Sequence, residues 1–225
     1  MTITPGAGGY EWKTAEHVDR YTARLQSHTA ERKVGFAGIL GELPPDTEVP
    51  LRIVDLGAGD GAVAELVLDT YPHAEAVLVD FSPVMMEKGG ERMQRFGDRY
   101  RYETWDMNVG DWPADLTGPF DAIVSSAAVH HLQNERKKWL AEAALARLAE
   151  GGVFANYDLF RNPDAVYADH EVHDKALATI DEARQFLEGS GYREISVSAR
   201  SARPSHQGEV ALLVGRKPAT PAAGQ

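Results

Sequence analysis

Short runs of apolar residues alternate along most of the chain with segments whose apolar residues recur every three or four positions. The runs are typical of strands buried on both faces, and the recurring segments are typical of helices with one buried face. The predicted strands lie at residues 51–56, 75–80, 100–106, 120–127, 152–159, 192–199 and 209–216, and the predicted helices at 14–27, 29–43, 61–70, 83–96, 134–149 and 174–188. This alternation predicts an α/β fold with a mostly parallel sheet and helices on both faces.

The two ends of this pattern are different from its middle. Only the polar segment RSARPSHQG separates the last two predicted strands, so we expect them to pair as an antiparallel hairpin at one edge of the sheet. Gly, Pro, Ala and Thr dominate both termini, which is typical of disorder. We therefore predict four parts: disordered residues 1–9, an N-terminal helical lid at 10–49, a cofactor-binding domain at 50–217 and a disordered tail at 218–225.

Composition excludes several classes of function. The 225 residues are 43% hydrophobic and 25% charged, which is typical of one soluble globular domain. The absence of cysteine fits a reducing, cytoplasmic location and excludes thiolate metal sites. A net charge of −11 argues against nucleic acid or an anionic membrane as the partner, because both require clustered Lys and Arg. A small-molecule partner is expected, and the chain is predicted to be a monomer or a homodimer.

The most informative stretch is VDLGAGDGAVAEL at residues 54–66, which joins the first predicted strand of the sheet to the helix after it. Gly57, Gly59 and Gly61 allow a tight turn and the close approach of a ligand to the backbone. A dinucleotide with its pyrophosphate and S-adenosylmethionine with its positive charges both suit such a loop. Asp55 and Asp60 flank the loop, and their charges favour the cationic methyl donor. Asp80 lies 21 residues after Gly59, close to the spacing expected of an acid that accepts from ribose hydroxyls.

Residues 50–216 resemble the class I S-adenosylmethionine-dependent methyltransferases of the small-molecule type, most specifically at VDLGAGDG. The resemblance implies a Rossmann-like seven-stranded sheet of order 3-2-1-4-5-7-6 with strand 7 antiparallel. It also implies methyl transfer from S-adenosylmethionine to an oxygen, nitrogen or activated carbon, with secondary metabolism as one setting. The cofactor-binding residues it implies are Tyr21, Asp55, Gly57, Ala58, Gly59, Gly61, Asp80, Phe81, Met85, Asp106, Met107, Ser126 and Ala127.

Two neighbouring histidines, His130 and His131, follow the fourth predicted strand, where the acceptor should approach the methyl group. Either is a candidate catalytic base, and the competing interpretation is a purely structural role. Methyl transfer needs in-line alignment above all, so the base is optional. We assign no metal. The candidate substrate-binding residues lie in segments before the first strand and after the fifth, and ordinary packing is their alternative role: Tyr10, Trp12, Phe160, Tyr167, His170 and His173.

Two other functions stay open at this point. One is an NAD(P)-dependent oxidoreductase on a similar sheet, which Asp60 and the antiparallel finish disfavour. The other is a non-catalytic protein that binds S-adenosylmethionine. Methyltransferases acting on nucleic-acid amino groups carry an Asn or Asp followed by two prolines and an aromatic residue after strand four, and SSAAVHH departs from that pattern.

Overall fold

The computed structural model describes Glu16 and residues 29–164, 177–202 and 208–220. Five helices and seven strands alternate along these residues, with two short 3-10 helices at Gln94–Arg99 and Val129–His131. The elements are α1 (Thr29–Gly41), β1 (Arg52–Leu56), α2 (Ala62–Thr70), β2 (Glu75–Asp80), α3 (Pro83–Met93), β3 (Tyr100–Thr104), β4 (Phe120–Ser126), α4 (Asn134–Arg147), β5 (Leu148–Phe160), α5 (Ile180–Ser190), β6 (Arg193–Ala202) and β7 (Glu209–Arg216).

The seven strands form one sheet in the order β3-β2-β1-β4-β5-β7-β6. Strands β1 to β5 run parallel to one another, whereas β7 is antiparallel to both β5 and β6. This arrangement confirms the predicted fold class and strand order. It also brings the carboxyl ends of the five parallel strands to one edge of the sheet, where ligands bind in open α/β folds.

Helices cover the sheet on both faces and create two apolar layers. On one face, α4 and α5 pack around Phe120, Phe154 and Tyr192. On the other, α1, α2 and α3 pack around Leu78 and Tyr157. Each large side chain buried in this way stabilises the fold by about 1.5–3 kcal/mol, so the two layers together provide a substantial core. No helix among the described residues is long and apolar enough to cross a membrane.

Local signals explain where the helices begin. Gly61 starts α2 in a left-handed conformation, and the side chain of Ser82 caps α3 by accepting from the N–H of Met85. Thr179 and Glu182 form a reciprocal capping box that starts α5 at Ile180. The prediction of a helix from residue 174 was therefore wrong in its start, because the capping box fixes the first turn later in the chain.

The predicted N-terminal lid is only partly described. Helix α1 packs on a face of the sheet: Gly35 lies against the ring of Tyr157, Gly38 lies against Leu212, and Ile39 is fully buried. This segment is thus part of the layer covering β5 and β7, and the lid at residues 10–49 stays a prediction. Tyr10 and Trp12 lie outside the described residues. So does the predicted helix at residues 14–27, which contains Tyr21, except for Glu16.

Candidate active site

The glycine loop leaves β1 at the carboxyl edge of the sheet. All three glycines have positive φ values, 68° at Gly57, 55° at Gly59 and 79° at Gly61. A Cβ atom on Gly57 would lie 2.2 Å from the Cβ of Ala128, and one on Gly59 would lie 2.8 Å from the Cε of Met85. The positive φ values and these close approaches favour glycine in the loop without any ligand, and ligand contact along the loop, including Ala58, stays a prediction.

Asp55 is fully buried near the end of β1, where one carboxylate oxygen accepts from the N–H of Ala64 in α2. Burial raises the pKa of this carboxyl to about 7; the Ala64 N–H opposes the shift, and the charges of Asp80 and Asp60 add to it. Near neutral pH, Asp55 is thus divided between its neutral and ionised forms.

This raised pKa predicts that Asp55→Asn stabilises the ligand-free protein most at high pH. Between about pH 4 and 7 the unfolded chain ionises Asp55 while the folded protein keeps it protonated, so the free energy of unfolding falls as pH rises. We expect the substitution to add about 2–4 kcal/mol at pH 8 and little at pH 4. Denaturant unfolding of both proteins at the two pH values measures it. The exposed Asp46, which accepts from the N–H of Glu48, provides the matched Asp→Asn control. An equal gain at both pH values would contradict the prediction.

Asp60 faces an arginine on α3. Its carboxylate pairs with the guanidinium of Arg92 at 2.7 Å, and Arg92 also pairs with Glu65 at 2.6 Å. The ion pair neutralises much of the negative charge that Asp60 would otherwise give the loop. Asp60 therefore discriminates less between a cationic and an anionic ligand than the sequence suggested.

Asp80 ends β2 beside the glycine loop and is mostly buried. One carboxylate oxygen accepts from the N–H of Gly59 and the other from the N–H of Ser82, both at 2.8 Å. Burial raises the pKa of Asp80, and these backbone donors oppose the rise. Each carboxylate oxygen keeps further acceptor capacity, so the group suits two neighbouring hydroxyls of a ligand. Phe81, partly exposed, follows directly.

Strand β3 lies next to β2 in the sheet, and the predicted cofactor-binding residues Asp106 and Met107 follow its end. Asp106 accepts through one oxygen from the backbone N–H and side-chain amide of Asn108, and so caps the turn that follows β3. The carbonyl of Met107 accepts from the guanidinium of Arg136. That guanidinium also lies 3.7 Å from the ring centroid of Trp139. Arg136 was missed because nothing in the sequence links α4 to this loop.

Tyr102 on β3 was also missed. Its hydroxyl donates to the carbonyl of Gly59 at 3.0 Å. The hydroxyl oxygen would lie 1.7 Å from a Cβ on Gly89 and 3.2 Å from one on Gly61, so two glycines make room for it. Burial, with the charges of Asp55, Asp60 and Asp80, raises its pKa, and the hydroxyl therefore stays a hydrogen-bond donor.

A histidine in the short helix after β4 pairs with an aspartate near the end of β5. Asp158 is buried on β5 and accepts from the backbone N–H of His130 at 2.9 Å, while its other oxygen lies 2.6 Å from the Nδ1 atom of that ring. Burial alone would raise the pKa of Asp158, but the charge and hydrogen bonds of His130, with the N–H of Leu159, hold it below its usual range. An ionised Asp158 only accepts, so Nδ1 carries the hydrogen, and in the neutral ring Nε2 is the acceptor.

The other predicted residues at this end of the sheet lie close by. Ser126 ends β4, and the exposed Ala127 has a φ of 55°, which is uncommon without glycine. The ring of His131 lies 3.9 Å from that of His130, centroid to centroid. Two neighbouring imidazoles therefore lie at this end of the sheet, and the ring of His130 is paired with Asp158.

A small cavity lies beneath His130, between β5 and helices α4 and α5, with about 40 Å³ available to the centres of water molecules. Lys137 and Asn156 line it. Burial lowers the pKa of Lys137 to about 8, although the charges of Asp158, Glu182 and Glu135 oppose the shift, and its Nζ donates to the side chain of Asn134. The buried Oδ1 atom of Asn156 has no hydrogen-bond partner among the described residues. The cavity suits ordered water rather than a substrate.

The predicted substrate-binding residues are not brought together by the described structure. Phe160 is the last residue of β5 and lies buried in the apolar layer with α4 and α5. This burial favours the packing role that was its alternative, and substrate binding by Phe160 stays a prediction. Tyr167, His170 and His173 lie outside the described residues. Within residues 29–164, 177–202 and 208–220, no three His, Asp or Glu side chains converge as metal ligands would.

Comparisons with known proteins agree with this architecture. A family model described as a methyltransferase domain matches residues 54–154. The trans-aconitate 2-methyltransferase of Streptomyces coelicolor is 29% identical over 133 residues, which are 59% of this chain and 43% of that protein. The malonyl-[acyl-carrier protein] O-methyltransferase of Geobacter sulfurreducens is 28% identical over 92% of this chain and 81% of that protein. The solved structure of an O-methyltransferase family protein from Burkholderia thailandensis superposes with a TM-score of 0.68 at 14% identity, covering 92% of this chain and 62% of that one.

The lengths of these proteins limit what the comparison carries. The chain spans less than half of the Streptomyces relative. At 14% identity, the solved structure supports the fold alone. Activity and acceptor must therefore be argued from the site itself.

Proposed function

Because the chain belongs to the class I S-adenosylmethionine-dependent methyltransferases, we propose that it transfers the methyl group of S-adenosylmethionine to a nucleophilic atom of a small-molecule acceptor. The observation that carries the proposal is the arrangement of one sheet edge. Along this edge, the glycine loop lies at the end of β1, with Asp80 and Asp106 at the ends of β2 and β3 on one side of it. The His130–Asp158 pair lies on the other side of the loop, at β4 and β5. A nucleoside site thus adjoins a site for proton transfer.

The residues present fit the cofactor. Asp80 is fixed by two backbone donors with its oxygens able to accept from vicinal ribose hydroxyls, Phe81 offers a partly exposed ring to the adenine, and Asp106 lies at the end of the next strand. Asp55 offers a buried carboxylate beside the loop for the ammonium of the methionine part. When bound, the cofactor supplies a methyl group on a sulfonium, which leaves as a neutral thioether.

The protein's own part in the reaction is alignment and proton removal. Rigid attachment of the loop to β1, α2 and Asp80 fixes the donor side, which supplies the entropic share of catalysis. Nε2 of His130 accepts the proton that an oxygen or nitrogen nucleophile loses, and Asp158 stabilises the imidazolium that results. An acceptor whose nucleophile carries no proton, such as a carboxylate, requires only the alignment.

Isothermal titration calorimetry tests the proposed cofactor directly. We expect S-adenosylmethionine and S-adenosylhomocysteine to bind with one site per chain, and NAD to show no saturable heat, because the buried carboxyl of Asp55 suits the ammonium of the two sulfur nucleosides and not a pyrophosphate. Saturable binding of NAD in place of the two sulfur nucleosides would overturn the proposal and restore the oxidoreductase alternative.

Turnover separates an enzyme from a non-catalytic binding protein. We propose to screen small molecules bearing hydroxyl, amine, activated-carbon or carboxyl groups by following the formation of S-adenosylhomocysteine. Tight cofactor binding without turnover across all four classes would favour the binding protein.

The exclusion of nucleic acid rests on the net charge of −11 and stays a prediction, as do the cytoplasmic location and a role in secondary metabolism.

A further inference from the structure

A tyrosine on β3, outside the loop motif, holds the glycine loop. The hydroxyl of Tyr102 donates to the carbonyl of Gly59 at 3.0 Å. The N–H of the same glycine donates to Asp80 at 2.8 Å. Gly59 is therefore fixed by one hydrogen bond on each side of its Cα atom.

Gly59 needs this restraint because of its conformation. Its φ of 55° belongs to a residue with unusually wide conformational freedom, and a glycine held by few contacts samples several backbone states. A hydrogen bond that fixes its carbonyl also limits the direction of its N–H. That N–H, together with the N–H of Ser82, holds the Asp80 carboxylate in position.

The surroundings of Tyr102 are shaped around its hydroxyl. A Cβ on Gly89 of α3 would lie 1.7 Å from the hydroxyl oxygen, whereas a Cβ on the neighbouring Gly90 would meet nothing within 4 Å. Tyr100, two residues earlier on the same strand, sends its hydroxyl to the carbonyl of Gly90 at 3.4 Å and so contacts α3 but not the loop. The chain thus contains a matched control for the tyrosine and another for the glycine.

We propose that Tyr102 is a positioning residue of the nucleoside site, which acts through the carbonyl of Gly59 to hold the ribose-binding carboxylate of Asp80 in place. Gly89 provides the space in which the hydroxyl reaches the loop. The inference rests on the proposed function, because it assigns Asp80 to the ribose.

Calorimetry with S-adenosylhomocysteine tests the role of the hydroxyl. Tyr102→Phe is expected to weaken binding about three- to tenfold, the equivalent of one neutral hydrogen bond. Tyr100→Phe, which also removes a partly buried tyrosine hydroxyl from β3, is expected to change affinity less than about twofold. Equal affinities for Tyr102→Phe and wild type, or equal losses in both tyrosine variants, would overturn the inference.

A double-mutant cycle with Asp80→Asn distinguishes positioning from general destabilisation. If Tyr102 acts through Asp80, its substitution should cost less than about twofold once the carboxylate is gone. A full three- to tenfold loss in the Asp80→Asn background would show that the two act independently and would overturn the inference.

The glycine pair keeps the test decisive even if Tyr102→Phe does not fold. Gly89→Ala should displace the hydroxyl and weaken binding to a similar extent, whereas Gly90→Ala should leave affinity unchanged, since both add the same methyl group to α3. Unchanged binding in Gly89→Ala would overturn the inference. Absence of binding by the wild-type protein would instead overturn the proposed function together with it.

Discussion

Asp80→Ala is expected to weaken the binding of S-adenosylmethionine about tenfold to a hundredfold, the range for hydrogen bonds to a charged group. The carboxylate has two tasks in the structure. It offers its oxygens to a ligand, and it holds the N–H groups of Gly59 and Ser82 at 2.8 Å each. Alanine removes both, so the loop loses its anchor to β2 as well as its acid. Calorimetry with S-adenosylmethionine measures the change.

Asp121→Ala is the control for this prediction. Its carboxylate also accepts from a backbone N–H, that of Arg52 at 2.7 Å, but at the amino edge of the sheet. Asp121→Ala should therefore leave cofactor affinity within about twofold while it tests the general cost of losing such an anchor. Equal affinity in Asp80→Ala and wild type would remove Asp80 from the ribose.

The layout of the sheet was predictable because it follows from periodic burial. Strands β2 and β7 begin and end where the apolar runs do, at Glu75–Asp80 and Glu209–Arg216. The antiparallel pairing of β7 followed from the absence of a helix before it, and the full strand order followed from the resemblance. The ends of helices were less predictable, because α5 begins at its capping box rather than at the first favourable residue.

The meaning of the three glycines was not predictable from the sequence. A glycine indicates that a side chain has no room, but it does not say what takes the space. At Gly57 the space belongs to Ala128, and at Gly59 it belongs to Met85, both residues of the protein. The contacts of distant segments decide this, and they are fixed only once β4 and α3 are placed.

The charges of the acids were equally hard to interpret in advance. Asp55 and Asp60 look alike beside the loop, yet one is buried with a pKa of about 7 and the other is paired with Arg92. Asp158 was visible as a single acid within an apolar run, but its pairing with His130 joins two segments 28 residues apart. Such pairings depend on the sheet register, which local pattern does not specify.

His130→Ala is expected to lower turnover at least about a hundredfold for an acceptor that must lose a proton, the usual range for loss of a general base. Cofactor affinity should stay within about twofold, because the ring is paired with Asp158 on the acceptor side of the edge. His131→Ala is the matched control: its ring lies 3.9 Å from that of His130 and belongs to the same short helix. Steady-state formation of S-adenosylhomocysteine with an acceptor from the screen, beside calorimetry, gives both quantities. Turnover that survives in His130→Ala would leave alignment as the sole source of catalysis, and turnover lost only in His131→Ala would move the base to the second ring.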